Sequence, residues 1–266
     1  MHNGDFLTLL KSTGYRLGPE APPAATAAQL AAVTQATTIF ALKYRDGVLI
    51  AGDRRATAGT TVMYDRTDKV LEIDRHSCMA IAGVPATAFE IARVMGHTFK
   101  YYRRSQLQEL SLEGKVRALS RLLKENIQMA LQGIGAVAPI FGAYDVEHGE
   151  GKIYFYDILG AEFESTEFAT SGSGSPAIRG VLHYEARWGP APLPHLTEDA
   201  ALVLTLRLLE MAAEIDSATG GSNREAHLYP VVKLITADGL HEVPQLRLEA
   251  LYAEHVLRTA QAAGGK

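Results

Sequence analysis

The sequence predicts an α+β fold in which two antiparallel sheets pack on each other and helices cover their outer faces. Three observations carry this. Two short apolar, β-prone runs, 38–44 and 48–53, meet at Arg45-Asp46-Gly47, and Asp-Gly between such runs is a strong hairpin signal. Two helical periodicities then interrupt the strands: Ile91, Val94, Met95, Phe99 and Tyr102, followed by Val116, Leu119, Leu122, Leu123, Ile127, Ala130 and Leu131. Strands return before the chain finishes in helices, an order that suits packed sheets with helical outer layers.

The elements come in order along the chain. Folding about Asp46-Gly47 lays the chain near Arg55-Ala56 opposite Thr37, with Asp53 a few residues along. A second strand pair is expected at 69–74 and 78–83. After the two helices, strands are expected at 137–145 and 151–157, with shorter ones near 162–170. Residues 174–184 and 197–216 are expected to be helical. The latter opens on Thr197-Glu198-Asp199, a start suited to an N-cap and to the positive helix end. A strand at 229–236, a short one near 240–243 and a helix from Pro244 to about Ala262 complete the expectation.

Composition narrows the function classes. With 47% hydrophobic and 21% charged residues the chain is ordinary globular material. No linker-like stretch appears after residue 37, so 37–266 is expected to form one domain, large enough for a core without disulfides. The net charge of −4 gives no electrostatic reason to expect nucleic acid. No run of 18 apolar residues occurs, so no membrane span is expected. The single cysteine, Cys78, has no internal disulfide partner; it fits a reducing cytoplasm and reads as core filler. The histidines show no paired metal spacing, so neither metal nor cofactor is assigned. The Ser171-Gly172-Ser173-Gly174-Ser175 run lacks the lysine of a phosphate-binding loop. The mixed basic and aromatic stretch Lys100–Arg104 reads as a solvated helix end or a subunit contact.

Residues 1–36 differ in character from the rest of the chain. Phe6–Leu10 is too short for a signal-peptide core and lacks a basic start, and residues 20–33 are alanine-rich and of low complexity. The segment reads either as a tail or as a removable propeptide. The second reading is the sharper one because of Thr37-Thr38-Ile39. A cut before Thr37 would give it a free α-amino group, with a pKa of about 8, able to take the hydroxyl proton. That is the device by which a threonine and its own amine make a nucleophile.

Six motifs then stand in order: Thr37-Thr38-Ile39, Gly52-Asp53-Arg54-Arg55-Ala56-Thr57, Lys69, Ala82-Gly83, Ser171 to Ser175, and Asp216-Ser217-Ala218-Thr219-Gly220-Gly221. Together they resemble a proteasome β subunit of the bacterial, actinobacterial type, over nearly all of residues 37–266. The resemblance implies the four-layer α/β/β/α sandwich of N-terminal-nucleophile hydrolases. It implies a threonine endopeptidase with Thr37 as nucleophile and base, Lys69 as the charge favouring its deprotonation and Asp53 as holder of that lysine. Gly83 would donate its N–H to the oxyanion, and Ser173, Asp216 and Thr219 would orient the amine. An extended peptide would pair between Thr57 and the 83–86 segment, where Pro85 offers only a carbonyl. Ala56, Thr67, Leu71, Ile81 and Phe89 would line the pocket before the cut and favour apolar side chains.

Implied partners are a ring of seven β subunits, rings of seven α subunits, a ring ATPase and unfolded, tagged proteins, with no nucleic acid or membrane involved. Two departures stand out: Thr219 where the family often has serine, and Ala36 where it commonly has glycine before the cut. A non-catalytic structural β subunit, a related self-processing amidase and a two-ring threonine peptidase are the alternatives. Retention of the threonine, lysine and glycine argues against the first. The long N-terminal segment and the Asp-Arg-Arg run argue against the other two.

Overall fold

A computed structural model describes residues 37–58, 61–132 and 135–257. The segment 1–36, including Ala36, and the last residues of the expected final helix lie outside the described residues. The chain opens with strands β1 (Thr38–Tyr44), β2 (Gly47–Gly52), β3 (Ala56–Ala58), β4 (Thr61–Tyr64), β5 (Val70–Asp74) and β6 (Ser77–Ala80). Helices α1 (Pro85–Gln106), α2 (Leu112–Glu125) and the short α3 (Ile127–Leu131) come after them. Next come β7 (Ile140–Asp145), β8 (Glu150–Tyr156), β9 (Glu162–Ser165) and β10 (Phe168–Gly172). Helices α4 (Ser175–Trp188) and α5 (Glu198–Ile215), strands β11 (Val231–Thr236) and β12 (Gly239–Glu242) and helix α6 (Gln245–Tyr252) complete the order, with one wider turn of helix over Ala253–Leu257.

Two antiparallel five-stranded sheets form, ordered β10-β1-β2-β11-β12 and β5-β6-β7-β8-β9. Ile39, Ala41, Val48, Ile50, Val231 and Ile235 of the first meet Val70, Cys78, Ala80, Ile140 and Ile153 of the second. The opposite face of the first sheet, with Phe40, Leu42, Leu49 and Val232, packs against α4, α5 and α6 through Ile178, Leu182, Leu206, Leu209 and Leu248. The outer face of the second sheet, with Ile73, Met79 and Phe141, packs against Ile91, Met95 and Phe99 of α1 and Leu119 and Leu123 of α2. The expected α/β/β/α sandwich is therefore present. Because both faces of β1 and β2 are covered, these strands read as continuous apolar runs rather than alternating ones. Each fully buried Phe, Leu or Ile here contributes about 2 kcal/mol of transfer free energy. Cys78 is fully buried between the sheets, and burial pushes its thiol well above the ordinary range. It is an inert core residue.

Three differences from the sequence reading, and one detail it left open, have physical causes. The hairpin turn falls on Arg45-Asp46, and Gly47 is already paired with Tyr44 and with Thr236. Glycine is required at 47 by close approach, since a Cβ there would lie 2.0 Å from the Ile235 carbonyl oxygen. The register therefore sets Asp53, not Arg55-Ala56, beside the start of β1. The expected 162–170 strands serve different sheets, β9 at the edge of the second and β10 beside β1 in the first. The helix expected to continue to Leu131 breaks at Asn126, whose side chain donates to the Gly135 carbonyl at 2.6 Å. Finally, Pro85 is the first residue of α1, where a missing N–H costs nothing. Its carbonyl enters the helical ladder, so extended chain ends at Val84 and does not reach residue 86.

Candidate active site

The strand register builds the site. Asp53 stands directly after β2, and its N–H donates to the Thr38 carbonyl at 3.1 Å. In return Thr38 N–H donates to Asp53 Oδ1 at 2.9 Å. Lys69, just ahead of β5 in the facing sheet, donates from Nζ to the same oxygen at 2.6 Å and to the Arg55 carbonyl at 2.5 Å. Asp53 Oδ2 accepts from the N–H groups of Arg55 and Gly220, each at 2.9 Å. Asp53 is fully buried and Lys69 only 3% exposed. An ion pair so deep needs every remaining valence satisfied, and here four donors surround the carboxylate. Burial pushes the Lys69 ammonium below the ordinary lysine range; Asp53, by charge and hydrogen bond, pulls the other way without prevailing.

Thr37 itself is buried. Its carbonyl accepts from Ser173 N–H at 2.8 Å, because β10 runs antiparallel to β1 with Gly172 opposite Thr38. Ser173 leads to a second polar group. Its hydroxyl donates to Asp216 Oδ2 at 2.5 Å, and Thr219 Oγ1 donates to the same oxygen at 2.7 Å. The Ala218 N–H reaches Asp216 Oδ1 at 3.2 Å. Asp216 stands just past the C-terminus of α5, where the helix dipole disfavours a negative charge. Burial raises its carboxyl, but the hydrogen bonds from Ser173, Thr219 and Ala218 and the charge of Lys69 outweigh that and hold it below the ordinary carboxylate range.

Gly83 is bridged to Val137. That bridge uses the N–H of Val84, to Ala136, and of Ala138, to Ala82; among the described residues it leaves the Gly83 N–H unused. Two residues earlier the Ile81 N–H donates to the Lys69 carbonyl at 2.9 Å, so N–H groups at this alternation face the Lys69 side. Gly83 has φ +114°, and a Cβ would lie 2.2 Å from the Ala136 carbonyl oxygen. A side chain there is strained and forces the neighbouring backbone to shift.

The expected substrate residues divide. Ala56 and Thr57 sit on β3, which among the described residues pairs only with β4 in a two-stranded hairpin, leaving one edge of β3 open to an extended chain. Thr67 is tied back by its N–H to the Arg54 carbonyl at 3.0 Å. Leu71 and Ile81 belong to the apolar cluster beneath α1. Phe89 is 41% exposed on α1 and outside that cluster, as Pro85 is outside the extended segment. A cleft of about 810 Å³ lies elsewhere, around the β1–β2 turn and Tyr144, Glu150 and His241. Depth alone does not mark this site; convergence of polar groups does.

Two residues escaped the sequence reading. Arg55 donates from Nη1 to the carbonyls of Ser217 at 2.8 Å and Thr219 at 3.2 Å while its own backbone serves Asp53 and Lys69. Thr38 is fully buried, and its hydroxyl sits 2.5 Å from Thr219 Oγ1 and accepts from the Gly174 N–H at 3.0 Å. A hydroxyl in an otherwise apolar, doubly covered strand was the available signal for Thr38. Among the described residues no cluster of acidic, histidine or cysteine side chains is arranged to hold a metal ion, and no helix is long and apolar enough to cross a membrane.

A family profile described as "Proteasome subunit" matches residues 33–227. The chain belongs to the proteasome subunit family. A protein of Thermomonospora curvata named proteasome subunit beta 2 is 37% identical over 246 residues, covering 92% of this chain and 85% of its own length. A proteasome subunit beta of Acidimicrobium ferrooxidans is 34% identical over 250 residues, covering 94% and 88%. The resemblance drawn from the six motifs is thus confirmed at the level of the proteasome β-subunit family, a family of peptidase subunits that assemble with other subunits into a core.

Proposed function

We propose that this chain is a threonine-type endopeptidase subunit of a proteasome core, acting through Thr37 once residues 1–36 are removed. The observation that carries this is one buried oxygen, Asp53 Oδ1, which accepts both from the Lys69 ammonium and from the amide that comes after Thr37. It ties a desolvated cation to the backbone of the nucleophile. Cleavage between Ala36 and Thr37 turns an amide nitrogen into an amine of pKa about 8, a competent base near neutral pH. The Thr37 hydroxyl then attacks the scissile carbonyl carbon and its proton passes to the amine. The oxyanion faces the unused Gly83 N–H, a donor of the kind worth about 3 kcal/mol in acyl transfer. As the C–N bond breaks, the amine returns the proton to the leaving nitrogen, and water then hydrolyses the Thr37 ester by the same route. Lys69 lowers the cost of the developing alkoxide; Ser173, Asp216 and Thr219 orient the amine.

The substrate chain adds to the open edge of β3, with Ala56, Thr67, Leu71 and Ile81 favouring apolar side chains before the cut. In this reading seven copies form a β ring between α-subunit rings in the cytoplasm, and a ring ATPase delivers unfolded, tagged proteins. Co-assembly with α subunits followed by intact-mass measurement tests it. The expected product is the 37–266 fragment with peptide hydrolysis, both abolished by Thr37→Ala. Retention of residues 1–36 by the wild-type assembly sinks the proposal. Fastest cleavage of fluorogenic peptides after basic or acidic residues overturns the apolar preference.

A further inference from the structure

The hydroxyl of Thr38 has no role in the chemistry above, yet it is fully buried at the meeting point of both polar groups. The direction of its hydrogen bonds comes from counting protons. An ionised carboxylate only accepts, and a hydroxyl has one proton to donate. Thr219 donates its proton to Asp216 Oδ2 at 2.7 Å. Across the 2.5 Å contact between the two threonine oxygens, the donor must therefore be Thr38. Its own oxygen accepts from the Gly174 N–H at 3.0 Å. The result is a one-way chain of donors: Gly174 N–H to Thr38, Thr38 to Thr219, Thr219 to Asp216. Each donor polarises the next, strengthening the last bond of the series.

The backbone of the same residue exchanges two hydrogen bonds with Asp53. We infer that Thr38 is a positioning residue, resting on the peptidase reading: its hydroxyl sets the rotamer and donor strength of Thr219 and so fixes Asp216 relative to the Asp53–Lys69 pair. The charged groups facing Asp216 are Lys69, Arg55, which grips the 217–219 turn, and, once the chain is cut, the Thr37 amine. Substitution at 38 removes none of these charges. Valine has the shape of threonine but neither the proton nor the acceptor; serine keeps both.

The test compares Thr38→Val and Thr38→Ser, with Thr38→Ala as a second hydroxyl-free variant should valine disturb folding. In the assembled particle, kcat/KM for a fluorogenic peptide is measured against pH. The hydroxyl-free variants are expected to lose about tenfold in kcat with KM little changed, the loss expected for one hydrogen bond. The acid limb of kcat/KM, which follows the Thr37 amine, is expected to move to lower pH in the hydroxyl-free variants, because a displaced Asp216 no longer favours the charged amine, while Thr38→Ser tracks wild type. Equal behaviour of serine and the hydroxyl-free variants, or lower stability with an unmoved acid limb, overturns the inference. A second arm needs no activity: urea midpoints of the full chain against pH. Acid destabilisation is expected to begin at higher pH in Thr38→Val than in wild type, and coincident curves overturn the proposal. An inactive wild type in the first arm refutes the peptidase reading, while the urea arm still decides the wiring of Thr38 to Asp216.

Discussion

Asp53 and Asp216 are both aspartates fastened by hydrogen bonds near Thr37, yet they are built differently. Asp53 has no exposure, pairs with a buried ammonium and takes donors on both oxygens. Asp216 is partly exposed at a helix end and is held by two hydroxyls and one amide. A carboxylate cut off from water survives only if fixed partners replace the whole hydration shell. One that still meets solvent needs only a few partners, and neutral hydroxyls suffice. The first group is therefore a structural keystone that also carries charge, and the second is adjustable.

The largest expected effect breaks the first group. Lys69→Ala leaves the Asp53 charge buried without its counter-ion and should cost about 3–5 kcal/mol, read as a lower urea midpoint, with loss of peptide hydrolysis. Replacing both, Asp53→Leu with Lys69→Met, removes the unpaired charge but leaves the N–H groups of Thr38, Arg55 and Gly220 without their acceptor, so it should recover only part of the stability and none of the activity. A double variant as unstable as the single one would mean that the backbone donors to Asp53, not its charge pairing, dominate. Gly83→Ala comes next. Forcing a Cβ into φ +114° should cost about 1–3 kcal/mol and displace the oxyanion donor, seen as a fall in kcat with the fold intact by circular dichroism.

Ser173→Ala probes the second group and should lose about 1 kcal/mol and roughly tenfold in kcat/KM, since Asp216 keeps two donors. The pH dependence separates the groups by sign. The folded Asp216 carboxyl lies below its unfolded value, so its contribution is complete above the ordinary carboxylate range and is lost as pH falls through the folded value. Lys69 is depressed too; between its folded value and the ordinary lysine value the unfolded chain binds more protons, so stability rises with pH across that window. Urea midpoints against pH should show Asp216→Asn flattening the acid limb and Lys69→Met the alkaline rise. Smallest of all, Thr219→Ser keeps the hydroxyl and should change kcat/KM by less than about threefold.

How much of the fold and site was readable depended on the kind of signal. The 38–44 and 48–53 runs, the α1 and α2 periodicities and the Thr197 cap were legible because burial and capping leave local marks. Thr197 does accept from Ala200 N–H at 3.3 Å. The turn at Arg45-Asp46 was misread because Asp46-Gly47 carries the usual turn residues, while the actual demand for glycine comes from β11, far away in sequence. The helical start at Pro85 was missed because proline excludes a helix interior but suits its first turn, and a lone proline does not say which. The residues around Thr37 stood out through motif order; their wiring did not.

By itself the sequence determined the element types, the two helical outer layers and the order of the polar motifs, because periodicity and turn chemistry act over a few residues. Only the tertiary structure decided that β9 and β10 part into different sheets and that Asp53 lies against Thr38. It likewise decided that Lys69 reaches Asp53 from the facing sheet, and that Thr38 and Arg55 join that pair to Asp216. Those contacts include pairs 15, 16 and 181 positions apart. They rest on register and sheet packing, and a one-residue slip in register, which leaves composition and local propensity unchanged, turns each side chain to the opposite face.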